Sequence, residues 1–217
     1  GLCREVAADT PRQRWYTARM HVYEARKFDL PKLDGISEKL VEEHIGLYEG
    51  YVKNLNAISQ QIAELAMSDS VKYAHAISEL VRRRSFEFDG MRLHEYYFAQ
   101  FEGGTKPMGP SSPLAKALET TYKPYTCEKV VAMIGNMRGP GWAMLYFDPE
   151  AKELLTGFSG EQHQGHFVTL PVILALDVWE HAFLLDYGAQ GKAKYIDAFF
   201  KNLNWSVVEK RFAQAQV

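Results

Sequence analysis

The chain has 217 residues, 47% hydrophobic and 13% aromatic, enough to bury one good core or two modest ones. A formal net charge of −2 gives no reason to expect nucleic acid or a membrane surface as a partner. No apolar run reaches the length of a membrane span, since Thr169 and Pro171 interrupt the stretch from Val168 to Leu176, and the two cysteines, Cys3 and Cys127, are too few for a disulfide framework.

Residues 1–19 carry Arg4, Arg12, Arg14 and Arg19 together with Glu5 and Asp9 and contain no apolar segment. They read as an irregular extension rather than a secretory signal, with Met20 as a candidate natural start. Cytoplasmic placement is expected, with an organelle as the second choice. From Ile36 to Ala66 the pattern is helical: Leu40, His44, Leu47, Tyr48, Tyr51 and Leu55 recur at three- and four-residue steps, while Glu42, Glu43, Glu49 and Lys53 fall elsewhere. Asp34-Gly35 reads as a turn and Ser37 as the helix start. A second helix is expected from about Ser70 to Phe101, bent at Asp89-Gly90. The segment Glu102 to Pro110, dense in glycine and proline, reads as an interdomain linker.

Beyond it the pattern changes. Short helices are predicted at Ser112–Tyr122 and Cys127–Met137, and strands at Trp142–Phe147, Leu154–Phe158 and Val172–Leu176. Asp148-Pro149-Glu150 joins the first two strands, and helices close the chain from about Lys194 to Phe212. An all-helical first half thus precedes a mixed second half.

Seven histidines are present: His21, His44, His75, His94, His163, His166 and His181. A lone histidine on an apolar helix face is usually a satisfied core residue, and His44 alone would earn that reading. Helical steps of about 100°, however, put Tyr48 and Tyr51 within about 40° of His44. One inward face therefore carries an imidazole and two phenols. His94 sits among Leu93, Tyr96, Tyr97 and Phe98, and Asp177 stands four positions before His181, directly after an apolar run. Burying a carboxylate beside an imidazole is costly unless something neutralises both, and a metal ion does so. Three imidazole nitrogens and one carboxylate oxygen suit iron or manganese better than a closed structural zinc site. Spacing alone leaves an accidental set open.

The block Asp177-Val178-Trp179-Glu180-His181-Ala182 resembles the signature of the iron/manganese superoxide dismutases, and further motifs follow in order from Phe28 to Phe212. Phe28-Asp29-Leu30-Pro31-Lys32-Leu33 is similar to the family's opening Leu-Pro segment, and His44-x-x-x-Tyr48-x-x-Tyr51-Val52-x-Asn54-Leu55-Asn56 to its first ligand helix. Leu93-His94-Glu95-Tyr96-Tyr97-Phe98 resembles the second ligand helix, Gly139-Pro140-Gly141-Trp142 the start of the sheet, and Asn202-Leu203-Asn204-Trp205 the closing Val-Asn-Trp.

The resemblance implies an α+β fold: an N-terminal helical hairpin domain over residues 20–107, then an α/β domain over 108–217 with a three-stranded antiparallel sheet. It implies that His44, His94, Asp177 and His181 hold one iron or manganese ion with a solvent molecule, and that the chain converts superoxide to dioxygen and hydrogen peroxide. Tyr51 matches the gateway tyrosine, and Trp142 and Trp179 match aromatics that enclose the site. Members of the family commonly place a glutamine beside the centre. Its helix position here is Gly90, so a sheet-side residue is expected, with His163 favoured and Gln162 second.

Tyr48 stands where many members carry a histidine, and Leu184 where that histidine's partner tyrosine would be. The paired change implies a rewired proton path and keeps Tyr48 among the catalytic candidates. The first ligand helix is one residue shorter between His44 and Tyr51 than in common members; aligning Glu43 as the ligand would ignore this deletion. Glu180 matches a glutamate that reaches the ligand histidine of the opposite subunit, so a homodimer, or a tetramer built from it, is implied. Lys192 or Lys194 is the candidate for attracting the anionic substrate. Two alternatives are a non-catalytic metal-binding or structural member of the fold, which should have lost a ligand, and a mononuclear non-haem oxygenase, against which the fourth protein ligand argues.

Overall fold

A computed structural model describes residues 21–216; Cys3 and the extension over 1–19 lie outside the described residues. Helix α1 (Glu38–Asp69) begins where Ser37, in extended conformation, accepts the Leu40 N–H with its hydroxyl. Asp34-Gly35 forms the preceding turn, with Gly35 at φ 81°. The buried face of α1 is Leu40, His44, Tyr48, Val52, Leu55, Ile62 and Ala63; of the stripe that the periodicity predicts, Leu40, His44, Tyr48 and Leu55 are buried, Tyr51 is half-buried and Leu47 is exposed.

Helix α2 (Ala74–Ala99) returns along α1, burying Glu87, Gly90, Met91, Leu93, His94, Tyr97 and Phe98. The expected bend at Asp89-Gly90 does not occur, and the helix runs through both residues. Gly90 is there for a neighbour rather than a turn. A Cβ on it would lie 2.6 Å from Cδ1 of Tyr51, so glycine lets the Tyr51 ring rest against the α2 backbone.

The Glu102–Pro110 segment is anchored along its length. Lys106 pairs with Asn204 in a parallel bridge, the Asn204 amide donates to the Glu102 carbonyl at 2.7 Å, and Glu209 accepts the Gly109 N–H at 2.9 Å. Helices α3 (Pro113–Tyr122) and α4 (Cys127–Gly135) follow, capped by the Ser112 and Thr126 hydroxyls.

Strands β1 (Trp142–Asp148), β2 (Glu153–Ser159) and β3 (Val172–Asp177) form an antiparallel sheet of order β2-β1-β3. The central strand is buried on both faces, which explains its unbroken apolar run Trp-Ala-Met-Leu-Tyr-Phe. A 3-10 turn (Glu180–Ala182), the short α5 (Leu184–Tyr187), α6 (Lys192–Asn202) and α7 (Trp205–Ala215) complete the described chain. One hydrophobic cluster joins Leu40 and Tyr48 of α1, Met91 and Phe98 of α2, and the sheet residues Trp142 to Phe147 and Ile173 to Leu176. Among the described residues, no helix is long and apolar enough to cross a membrane.

Two contacts fix the end of β3. The buried Gln100 side chain donates to the Ala175 carbonyl at 2.8 Å and accepts the Ala175 N–H at 2.9 Å, tying the α2 terminus to the strand two residues before Asp177. Register then pairs Trp142 with Asp177 across β1 and β3.

Candidate metal centre

His44 and His94 project from the facing sides of α1 and α2, Asp177 ends β3, and His181 lies in the 3-10 turn beyond it. Each offers one ligand-type atom, and these atoms all lie within 4.8 Å of one another. Oδ2 of Asp177 is 3.2 Å from Nε2 of His44, 3.0 Å from Nε2 of His181 and 3.6 Å from Nε2 of His94. The other carboxylate oxygen accepts the Trp179 N–H at 2.8 Å, which aims Oδ2 at the imidazoles. Tyr195 secures the backbone beneath, its hydroxyl donating to the Asp177 carbonyl at 2.8 Å.

The tautomer of His94 tests whether this set suits a cation. Its Nδ1 lies 2.6 Å from the Gly90 carbonyl, so a neutral ring carries its proton there and leaves Nε2 as a bare lone pair. That Nε2 is fully buried, has no hydrogen-bond partner, and faces a carboxylate oxygen, which is also an acceptor. An acceptor opposed to an acceptor in a dry site is unfavourable unless a cation lies between them. Hard oxygen and borderline imidazole donors fit iron or manganese.

Electrostatics agree with neutral His44 and His94 imidazoles beside an ionised carboxylate. Burial pushes His94 down to about 3, with His44 beside it adding to the effect, and burial lowers His44 despite its bond to Asp177. Burial alone would raise the Asp177 carboxyl, but His181 and His44 outweigh it and hold the group well below the usual carboxylate range.

Around these residues the remaining candidates separate. Gln162 is fully buried; its Nε2 donates to the Tyr51 hydroxyl at 3.1 Å and its Oε1 accepts from Trp142 Nε1 at 2.8 Å. The Tyr51 and Trp142 rings lie 5.1 Å and 5.2 Å from His94. Gln162, Tyr51 and Trp142 thus form one bonded chain flanking the His94 imidazole. His163 makes neither of these bonds: its ring meets Phe86 edge-on at 5.7 Å, and its buried Nδ1 has no partner.

Tyr48 lies on the face of α1 that bears His44, but its hydroxyl donates to Glu95 at 3.1 Å and accepts the Arg26 N–H at 2.7 Å. Its bonds therefore tie the N-terminal segment to α2. Trp179 stacks on His181 at 6.1 Å. Glu180 is exposed, and Leu184 and Leu185 beside it are each 45% exposed. Lys192 donates to the Met137 and Gly139 carbonyls at 2.8 Å, so its ammonium is committed to the backbone, whereas Lys194 is exposed. Gln100 and Tyr195, which place Asp177, carry no local sequence signal beyond polar or aromatic character on an inward helix face.

The family model for iron/manganese superoxide dismutases, C-terminal domain, matches residues 110–211. Similar curated proteins include "Superoxide dismutase [Fe]" of Cupriavidus metallidurans, 34% identical with 85% of this chain and 92% of that protein covered. "Superoxide dismutase [Fe]" of Aquifex pyrophilus is 33% identical, with 84% of this chain and 87% of that protein covered. "Superoxide dismutase [Mn], mitochondrial" of Glossina morsitans morsitans is 30% identical, with 83% and 82% covered.

Proposed function

The chain belongs to the iron/manganese superoxide dismutase family, and from that premise we propose how its own residues carry the activity. It is an oxidoreductase that converts two superoxide anions and two protons to dioxygen and hydrogen peroxide, using one iron or manganese ion per chain. The bound ion supplies the reversible one-electron couple that oxidises one superoxide and reduces the next. The residues that hold it are His44, His94, Asp177 and His181. The observation carrying this assignment is the buried, partnerless Nε2 of His94 facing the Asp177 carboxylate.

Tyr51 and Gln162 form the polar side of the centre. Because Gln162 Nε2 donates to the Tyr51 oxygen, the phenol proton is left free to point elsewhere, toward an arriving anion or solvent. Burial raises the Tyr51 phenol, with the Asp177 charge adding to it, so the proton stays on this oxygen through neutral pH. We assign the glutamine role to Gln162 rather than His163, on the support of its bonds to Tyr51 and Trp142. Tyr48 serves as a positioning residue: its ring stacks on His94 at 6.5 Å, while both hydrogen bonds of its hydroxyl lead away from the ligands. Trp142, Trp179 and Phe98 exclude water from the imidazole cluster.

We further propose a homodimer with Glu180 reaching the partner's His181. The exposed carboxylate beside two half-exposed leucines supports this reading. Glu180→Ala should then sediment as a lighter species than the wild type, and an unchanged sedimentation coefficient would remove Glu180 from the interface. The alternative of a non-catalytic relative would have lost a ligand, and all of the ligand positions are filled. Reconstitution of metal-free protein with iron and with manganese separately, followed by assay of superoxide removal, tests the function. Activity is expected with at least one metal, and inactivity with both fully loaded forms would overturn it.

A further inference from the structure

Gln162 is the member of the Tyr51–Gln162–Trp142 chain that stands on neither a helix nor a strand; it lies in the irregular segment between β2 and β3. Its side chain reaches the centre only if its backbone is held. The Ser159 hydroxyl holds the Glu161 and Gln164 carbonyls on either side of Gln162, and His166 holds the Gln162 carbonyl. Nε2 of His166 lies 2.8 Å from the Gln162 carbonyl, which can only accept, so the ring proton is on Nε2. Nδ1 is then an acceptor, and the Tyr146 hydroxyl meets it at 3.0 Å.

Tyr146 is fixed in turn. It belongs to the buried central strand, and a Cβ on Gly157 of the neighbouring strand would lie 2.9 Å from its ring, so glycine makes the seat it occupies. Gly165, at φ 102°, turns the chain so that His166 folds back toward Gln162; a Cβ there would lie 2.6 Å from the Phe158 carbonyl. The Tyr146 O–H faces two acceptors, Nδ1 of His166 at 3.0 Å and the weaker acceptor Sδ of Met144 at 3.2 Å, and Nε2–H of His166 continues the chain to the Gln162 carbonyl.

We propose that His166, oriented by Tyr146, is a positioning residue that sets where Gln162 stands beside the metal centre. It thereby tunes the metal without touching it. The inference rests on the assignment of Gln162 made above. The test compares holoenzymes of His166→Leu, His166→Gln, Tyr146→Phe and Gln162→Leu by metal content, visible absorption and midpoint potential, with kcat/KM beside them.

His166→Leu is expected to keep its metal, to shift potential and absorption in the same direction as Gln162→Leu, and to lose about 10-fold in kcat/KM. His166→Gln keeps an N–H for the carbonyl and an oxygen for Tyr146, and should restore both properties. Tyr146→Phe should shift them by a smaller amount, and adding it to His166→Leu should change nothing further. A metal-loaded His166→Leu with wild-type potential and absorption, beside a shifted Gln162→Leu, would overturn the inference alone. Wild-type properties in both would overturn the assignment of Gln162 and the inference with it. Should His166→Leu fail to fold, Tyr146→Phe carries the same readout, and its identity with the wild type would be equally fatal.

Discussion

His44 and His94 project toward Asp177 from the interiors of long regular helices, whereas Gln162 meets Tyr51 and Trp142 from a segment with no regular ladder. On a helix the backbone is fixed by its own hydrogen bonds, so a ligand's place depends only on which face it occupies and what packs beside it. In the irregular segment, side chains must supply the restraint, and the Ser159 hydroxyl, bonded to the Glu161 and Gln164 carbonyls, and His166 supply it. The helical half of the site should therefore fail by losing metal or shape, and the other half by losing tuning with metal still bound.

The strongest test of the rigid half is Asp177→Ala. It removes the one anion among three imidazoles, so metal content should fall from about one ion per chain to near none and dismutation with it. Metal analysis after purification reads this, and wild-type content would take Asp177 out of the ligand set. Gly90→Ala probes packing against a regular helix. At an ordinary helix-interior site this change stabilises by about 1 kcal/mol. Here the new Cβ would lie 2.6 Å from the Tyr51 ring, so the sign should reverse to a loss of about 1–3 kcal/mol, with activity reduced and metal retained. Thermal unfolding that shows a more stable, fully active variant would break the comparison.

The smallest effect is expected at Tyr48, whose bonds serve the fold. Tyr48→Phe should cost about 1 kcal/mol near neutrality. Burial pushes the Tyr48 phenol up to about 12 from its ordinary value of 10.0. Between these values the native state binds the proton that the unfolded state has released, so this group's stabilisation is complete below pH 10.0 and lost as pH rises toward about 12. Urea midpoints measured across that window should fall less steeply for Tyr48→Phe than for the wild type, and parallel curves would contradict the assignment.

Much of the helical architecture was readable from single residues. Ser37 marks its helix start because a hydroxyl at that position completes an orphaned N–H, and the stripe from Leu40 to Leu55 marks the buried face because the helical period is fixed. Gly90 misled for a physical reason: glycine after aspartate signals a turn, but it equally signals close approach of another chain segment, and only the Tyr51 ring decides which. The Glu102–Pro110 segment has the composition of a linker, yet Asn204 and Glu209, about a hundred positions later, hold it in place.

At the site, the sequence by itself determined which side chains share a helix face and, through ordered motifs, which family they serve. Spacing and composition could not determine which of Gln162 and His163 bonds to Tyr51 and Trp142, or that the Tyr48 hydroxyl bonds to Glu95 and Arg26. Periodicity is a property of neighbouring backbone torsions and is therefore written locally. The direction of a hydroxyl or an amide depends on partners such as Trp142, His166 and Arg26, which only the folded chain brings within bonding distance.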